Sequence, residues 1–333
     1  IHAKFTAHVL TPTSCYINVI IEMELFMGIV VMGAVFVDIK GFPEDIYIPD
    51  GRNVGHVEYI HGGVSRNVVE DIANIELRPT FVGIVDDSAL GEDVVKKLKN
   101  HKVNTDYVMT MPGGMGTWLA VFDHNGDLAG SISQRPNLMP ILGLLEEKGD
   151  EIFANADSVI VEVDMDKDII KKAVALAKQY NKKLYGVVSN MSIAVERRDF
   201  LKHFDCFICN QLEAGMLFME DYADKSPEEL RDILSKRVIL GKIPAMIVTM
   251  GGNGAVYADV NGEKGICPPQ RVRVKDTTGA GDAFCAGVAS GLTYGKTLSE
   301  AVEIGSRLAA SVITSSENVC PRFLPEEFGI TLD

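Results

Sequence analysis

The sequence predicts an α/β fold: a largely parallel sheet covered by helices, with a small β lid set into it. Three observations carry that reading. Short Val- and Ile-rich runs alternate along the chain with longer segments of helical period, the rhythm of repeated βα units. Two stretches, Asp45–His61 and Asp106–Ser133, alternate in period two instead. They carry the turn signals Pro49-Asp50-Gly51 and Asn125-Gly126-Asp127, as antiparallel strands do. No charge run, repeat or low-complexity linker divides the 333 residues, so a single large domain is expected.

Taken in order, Gly28–Val37 reads as one buried strand. Gly63–Glu76 reads as a helix with Val64, Val68, Ile72 and Ile75 on one face. Thr80–Val85 is a strand and Ser88–Asn100 a helix with a charged face. Asp157–Val163 and Lys183–Val188 are strands flanking a helix at Lys167–Tyr180. A short strand, Cys206–Cys209, leads into a helix from about Gln211. Ser226-Pro227-Glu228-Glu229 opens the helix Ser226–Lys236, with a capping Ser and Pro in the first turn. Ala245–Thr249 is a strand; Ala280–Leu292 and Leu298–Thr314 are helices. The rhythm begins near Met27, so residues 1–26 are set aside as an N-terminal extension. Within it, Glu22 and Glu24 interrupt the apolar run Cys15–Val37 at a depth costly for a membrane span. Thr11-Pro12-Thr13 and the lack of a basic leader fit a signal peptide poorly. Residues 27–333 are then one domain, with lid segments at about 42–61 and 105–133.

Composition narrows the function classes. Lys plus Arg total 32 against 46 Asp plus Glu, a net charge of −14, which disfavours a nucleic-acid polymer or an anionic membrane as partner. A phosphorylated small molecule stays open, because glycine amides and a divalent cation hold phosphate without a basic patch. The six cysteines are scattered, unlike a disulfide framework, and a reducing cytoplasmic setting fits. Cys206 and Cys209 lie three apart on a strand and so face opposite sides, which argues against a metal or redox pair.

The densest chemistry lies at Asp276-Thr277-Thr278-Gly279-Ala280-Gly281-Asp282-Ala283-Phe284. Two glycines around an alanine allow a tight turn into a helix whose free amides favour an anion. Asp282, in the first turn, is placed to accept a hydroxyl proton beside that anion. The helix dipole should keep it ionised, making it a weak base that suffices for phosphoryl transfer. On spacing alone, a glycine loop with Asp282 capping the helix reads as well. Gly62-Gly63 before a helix lets a ligand approach the backbone, and Asn67 lies one turn on. Asn210 and Glu213 share one face at a helix start, where a capping box explains the same spacing. Thr249-Met250-Gly251-Gly252-Asn253-Gly254 reads as a tight turn between strands or as a phosphate loop.

The nine-residue string closely resembles the PfkB signature D-T-x-G-A-G-D-x-F, a specific motif, and the resemblance extends over about residues 28–320. It implies the ribokinase-like three-layer α/β/α fold and an ATP-dependent sugar or nucleoside kinase using Mg2+. In the family's order, Gly62–Asn67 is similar to G-G-x-x-x-N, Asn210–Glu213 to N-x-x-E and Thr249–Gly254 to T-x-G-x-x-G. The resemblance implies Asp282 as base, with Gly279, Ala280 and Gly281 as phosphate cradle. Asp38, Gly62, Gly63, Asn67 and Arg66 would contact the acceptor. Thr249, Gly251, Gly254, Asn210 and Asn318 would line the nucleotide. Glu213 would hold Mg2+ through water, and a monovalent cation such as K+ would sit near Asp276 and Thr278. Ser189 stands where relatives carry aspartate. Arg66 within Gly62–Ala73 looks more like pseudouridine kinases than ribokinases, although a helix-surface ion pair explains it too; Ser133–Asn137 departs from that group. Expected acceptors are therefore pseudouridine or, alternatively, a free sugar or sugar acid. Few basic residues in the lid beyond Arg52 and Arg135 disfavour a sugar phosphate. A non-catalytic nucleotide- or sugar-binding regulator is the rival class, against which the intact Asp282 argues. Gly28–Gly41 lacks the G-x-G-x-x-G of a dinucleotide-binding dehydrogenase. Exposed lid strands suggest a homodimer.

Overall fold

The computed structural model describes residues 27–331, with the backbone of 5–7 and 19–21. The latter form β1 (Phe5–Ala7) and β2 (Val19–Ile21), an antiparallel pair. The rest of the expected extension 1–26 lies outside the described residues. Among the described residues, no helix is long and apolar enough to cross a membrane.

The main sheet grows from repeated βα units. β3 (Gly28–Met32) is completely buried, and the chain then leaves the sheet. What reads in sequence as one strand to Val37 is two. At Gly33-Ala34-Val35 the chain crosses into a second sheet and begins β4 (Phe36–Pro43). The reason is close packing: a Cβ at Gly33 would lie 2.0 Å from Ser65 Oγ and 2.3 Å from Glu162 Oε2. β5 (Gly55–Gly62) returns antiparallel to β4 and feeds α1 (Val64–Asn74). β6 (Thr80–Val85), α2 (Ala89–Asn100) and β7 (Asn104–Thr110) follow. Ser88 caps α2 by accepting from the amides of Leu90 and Gly91. β7 pairs parallel with β6 at the edge of the main sheet, so the lid does not begin at 105. It resumes with β8 (Gly116–Phe122) and β9 (Leu128–Gln134), and its first segment starts at Phe36 rather than 42.

Beyond the lid come α3 (Pro140–Asn155), β10 (Ala156–Glu162), α4 (Lys167–Gln179) and β11 (Lys183–Val187). Then follow α5 (Met191–Ala194), β12 (Cys206–Asn210), α6 (Gln211–Phe218) and α7 (Pro227–Gly241). β13 (Ala245–Thr249) runs into a hairpin of β14 (Ala255–Asp259) and β15 (Lys264–Cys267). α8 (Ala280–Thr293) and α9 (Leu298–Ile313) close the fold. The nine strands of the main sheet run β15-β14-β13-β12-β11-β10-β3-β6-β7, antiparallel only at the β13–β14–β15 end. Two apolar clusters cover its faces. Cys206 belongs to one and Cys209 to the other, so this pair faces opposite sides as strand geometry requires.

This order has a switch point. From β3 the chain steps one way to β6 and later the other way to β10. Parallel strands aim their carboxyl ends at one edge of the sheet, and a crevice opens where the order reverses. The four-stranded lid, β5-β4-β8-β9, stands over that edge. Register sorts its two faces. Asp38 pairs with Trp118 and Trp118 with Ser133, so these share the face turned to the crevice. Ile39, Tyr59, Leu119 and Ile132 are likewise in register on the opposite face, where Tyr59 and Ile132 are more than 60% exposed.

Candidate active site

The crevice between lid and sheet is lined by residues from the lid and from three other places in the chain. The lid gives Phe36, Asp38, Trp118, Ser133 and Arg135; the start of α1 gives Gly63, Val64 and Asn67. Ser189 and Asn190 come from beyond β11, and Thr278, Gly279 and Asp282 from the start of α8. Of the residues singled out in sequence, the fold thus brings Asp38, Gly63, Asn67, Thr278, Gly279 and Asp282 to one cleft.

The α8 start is built by its glycines. Gly279 is the N-cap with φ +79°, a left-handed conformation that side chains resist. A Cβ there would also lie 2.0 Å from the Asn318 carbonyl oxygen, whereas one at Gly281 would meet open space. Ala280 turns its amide back to the Thr277 carbonyl (3.2 Å), so it contributes shape rather than a donor. The amides of Gly281 and Asp282 lie in the first turn, with no preceding turn to bond, and can receive an anion.

Asp282 sits at the third position of this helix, only partly exposed. Its Oδ2 accepts a 2.6 Å hydrogen bond from Asn67 Nδ2 on α1. Burial raises its pKa to about 6, against the pull of Asn67 and Arg66. Asp282 thus stays largely ionised at neutral pH, but desolvation makes it a stronger base than the weak one expected at a helix start. Burial also raises the Asp38 carboxyl, which lies across Gly62, where a Cβ would be 2.6 Å from Asp38 Oδ1.

Two assignments fail on geometry. Arg66 is 1% exposed and does not line the cleft. Its Nη1 pairs with Glu70 Oε2 at 2.5 Å, and the guanidinium also donates to the Gly62 and His61 carbonyls. It is therefore neither an acceptor contact nor a surface ion pair, but the buried bracket that holds the glycine pair onto α1. Asn318 is spent similarly. Its side-chain amide donates to the His61 carbonyl (2.9 Å) and to Asn67 Oδ1 (3.2 Å), turned to the acceptor side instead of a nucleotide.

The remaining candidates sit along the neighbouring sheet edge. Asn210 and Thr249 pair at the ends of β12 and β13. Asn210 and Glu213 form both bonds of a capping box: Glu213 N to Asn210 Oδ1 at 2.9 Å, Asn210 N to Glu213 Oε2 at 2.8 Å. The box engages only Oε2 of Glu213, and burial raises this carboxyl. Gly251 and Gly254 hold a turn with φ +53° and +85°. Asp276 Oδ1 accepts from the Thr278 amide and hydroxyl, and these bonds lower its pKa.

Two lining residues, Phe36 and Trp118, escape sequence reading, as do two buried carboxyls outside the lining, Asp164 and Glu162. Asp164 follows β10 at the carboxyl edge of the sheet, a position that could have flagged it. Its Oδ2 takes Arg135 Nη2 at 2.9 Å and its Oδ1 the Ser189 amide at 3.0 Å. Ser189, standing where an aspartate was expected, thus engages through its backbone. Glu162 is buried beneath the switch point, accepts from Ala34 N and Ser65 Oγ, and is pushed up to about 8 by burial. Trp118 joins the site through the parallel β4–β8 register, which no local pattern announces.

Comparison with known proteins agrees with this arrangement. The model of the pfkB family of carbohydrate kinases matches residues 28–320. A guanosine-inosine kinase of Exiguobacterium acetylicum is 36% identical over 298 residues, covering 87% of this chain and 95% of the relative. The pseudouridine kinase of Escherichia coli (strain K12) is 23% identical over 297 residues, covering 86% and 90%. The solved Arabidopsis thaliana ribokinase, complexed with ribose and ATP, shares the fold with a TM-score of 0.78. At 19% identity it covers 93% of this chain and 100% of its own.

Proposed function

From the premise that this chain belongs to the pfkB family of carbohydrate kinases, we propose that it phosphorylates the 5′-hydroxyl of a purine nucleoside. It is an ATP-dependent phosphotransferase with an alcohol group of a sugar or nucleoside as acceptor. The observation that favours a nucleoside is the pairing of Asp38 with Trp118 on the inner lid face. A carboxylate suits ribose hydroxyls, and an indole face suits a base.

The acceptor lies under the lid with its hydroxymethyl group at Asp282. Asn67 holds Asp282 Oδ2, which leaves Oδ1 to the acceptor hydroxyl. The hydroxyl oxygen attacks the γ-phosphorus in line, the bond to the bridging oxygen breaks, ADP leaves and the proton passes to Asp282. The first-turn amides of α8 stabilise the transferring group. Glu213 would hold Mg2+ through water, and the ion would supply neutralising charge. The turns at Thr249–Gly254 and Asn210 would flank the nucleotide, and Asp276 and Thr278 would hold a monovalent cation such as K+.

Pseudouridine is the second reading, favoured by the run Gly62–Ala73. Its weight falls because Arg66, the residue that distinguished that run, is committed to Glu70. A free sugar remains the alternative if Trp118 serves packing alone, and a non-catalytic binder if Asp282 is idle. The apolar outer lid row Tyr59, Leu119 and Ile132 supports a homodimer through the lid; a monomer by light scattering at high concentration would remove that element. Initial rates with ATP and Mg2+ across guanosine, inosine, pseudouridine, adenosine, ribose and fructose test the acceptor. Preference for guanosine or inosine is expected. A preference for a free sugar would overturn the nucleoside reading, and silence on every acceptor would favour the binder.

A further inference from the structure

Two amides separate a fixed backbone carbonyl from Asp282. The His61 carbonyl can only accept, so the Asn318 atom 2.9 Å from it must be the Nδ2 donor. That same nitrogen lies 3.2 Å from Asn67, so the Asn67 atom facing it must be the oxygen. Asn67 Nδ2 is then turned to Asp282 Oδ2, at 2.6 Å. The orientation of each amide follows from the carbonyl at the far end of the chain of bonds, not from the carboxylate at the near end.

Asn318 is well placed for this. It is 9% exposed, and the segment carrying it is pinned to α1 at Cys320. Cys320 N donates to Asp71 Oδ1, and Asn74 Nδ2 donates to the Cys320 carbonyl, each at 2.6 Å. On its other side, the Asn318 carbonyl packs directly against Gly279 of the anion turn. One residue thus touches the start of α8 with its backbone and the acceptor side with its side chain.

We infer that Asn318 is a positioning residue for Asp282: it locks the Asn67 amide so that Asn67 donates to Oδ2, leaving Oδ1 aimed at the acceptor hydroxyl. The inference rests on the reading of Asp282 as base. Without Asn318, Asn67 turns freely, Asp282 loses a steady donor, and its carboxylate is both less well aimed and more readily protonated. The donor from Asn67 lowers the Asp282 pKa, so weakening it moves the acidic limb of activity upward.

The test is a double-mutant cycle of Asn318→Leu and Asn67→Ala, with kcat, both KM values and the pH dependence of kcat, using whichever acceptor the wild type turns over. Asn318→Ala replaces the leucine variant if melting shows that the latter does not fold. The expected result is a kcat lowered about fivefold, the size of one intramolecular hydrogen bond, with unchanged KM for ATP. The acidic limb moves to higher pH, and Asn318→Leu adds nothing in the Asn67→Ala background. A raised KM for ATP at constant kcat would overturn the inference in favour of a nucleotide contact. An equal loss in both backgrounds would overturn it in favour of plain packing. Asp282→Asn is run alongside: if it turns over like wild type, the base reading falls and this inference with it. If it is inactive while Asn318→Leu is silent, this inference falls alone.

Discussion

The starts of α6 and α8 lie at the same carboxyl edge of the sheet, and each carries an acid at its third helical position. At α6 the N-cap is Asn210, whose side chain and amide engage Glu213 in a closed capping box. At α8 the N-cap is Gly279, which has no side chain to offer, and Asp282 reaches instead to Asn67 from 215 residues earlier. Burial raises both carboxyls. The difference teaches what a glycine N-cap is for: it withholds the local partner, so the acid is held by a residue of another element while the first-turn amides stay open to an anion.

The strongest way to break this comparison is to give α8 a side chain at its cap. Gly279→Val forces a β-branched residue into a left-handed conformation against the Asn318 carbonyl. Displacing the first-turn amides should lower turnover on the order of 100-fold, comparable to losing an oxyanion donor. Full activity with an unchanged melting temperature would mean that the turn carries no phosphate.

A second effect sharpens it through pH. As the proposed base, Asp282 would act only when ionised, and burial raises its pKa to about 6, so kcat should fall as pH drops through that value. A rate that stays flat down to pH 5 would contradict the assignment. The smallest effect belongs to α6. Asn210→Ala opens the capping box and should cost about 1 kcal/mol of stability by denaturant melts. A loss of activity much larger than that of stability would give Asn210 a part in nucleotide binding beyond its cap.

The sequence made the anion turn, Asp282 and Asn67 legible because each depends on local chemistry: glycines where φ is positive, or an amide one helical turn from a glycine pair. The βα rhythm was legible for the same reason, down to Ala245–Thr249. What escaped depends on pairing at a distance. The break at Gly33–Val35 follows from Ser65 and Glu162 crowding Gly33, and neither is near it in the chain. Asn104–Thr110 shares the period-two pattern of a lid strand, yet parallel pairing with β6 carries it into the main sheet. Arg66 looked like a surface residue on α1 until α1 proved buried along almost its whole length. Asn318 was assigned to a nucleotide through the family resemblance of its segment, whereas its side chain points to His61 and Asn67.

The most direct test pairs the two acids: Asp282→Asn and Glu213→Gln, each assayed for phosphoryl transfer, ligand binding and melting temperature. Asp282→Asn should lose at least about 100-fold in kcat with binding retained. A carboxyl raised from 3.8 to about 6 stabilises the fold fully only below its unfolded pKa and loses that contribution as pH rises through the folded value. The amide should therefore gain about 1–3 kcal/mol at neutral pH. Glu213→Gln keeps a capping box and should stay within about tenfold of wild-type kcat. The reverse ranking, with Asp282→Asn near wild type and Glu213→Gln inactive, would contradict the account.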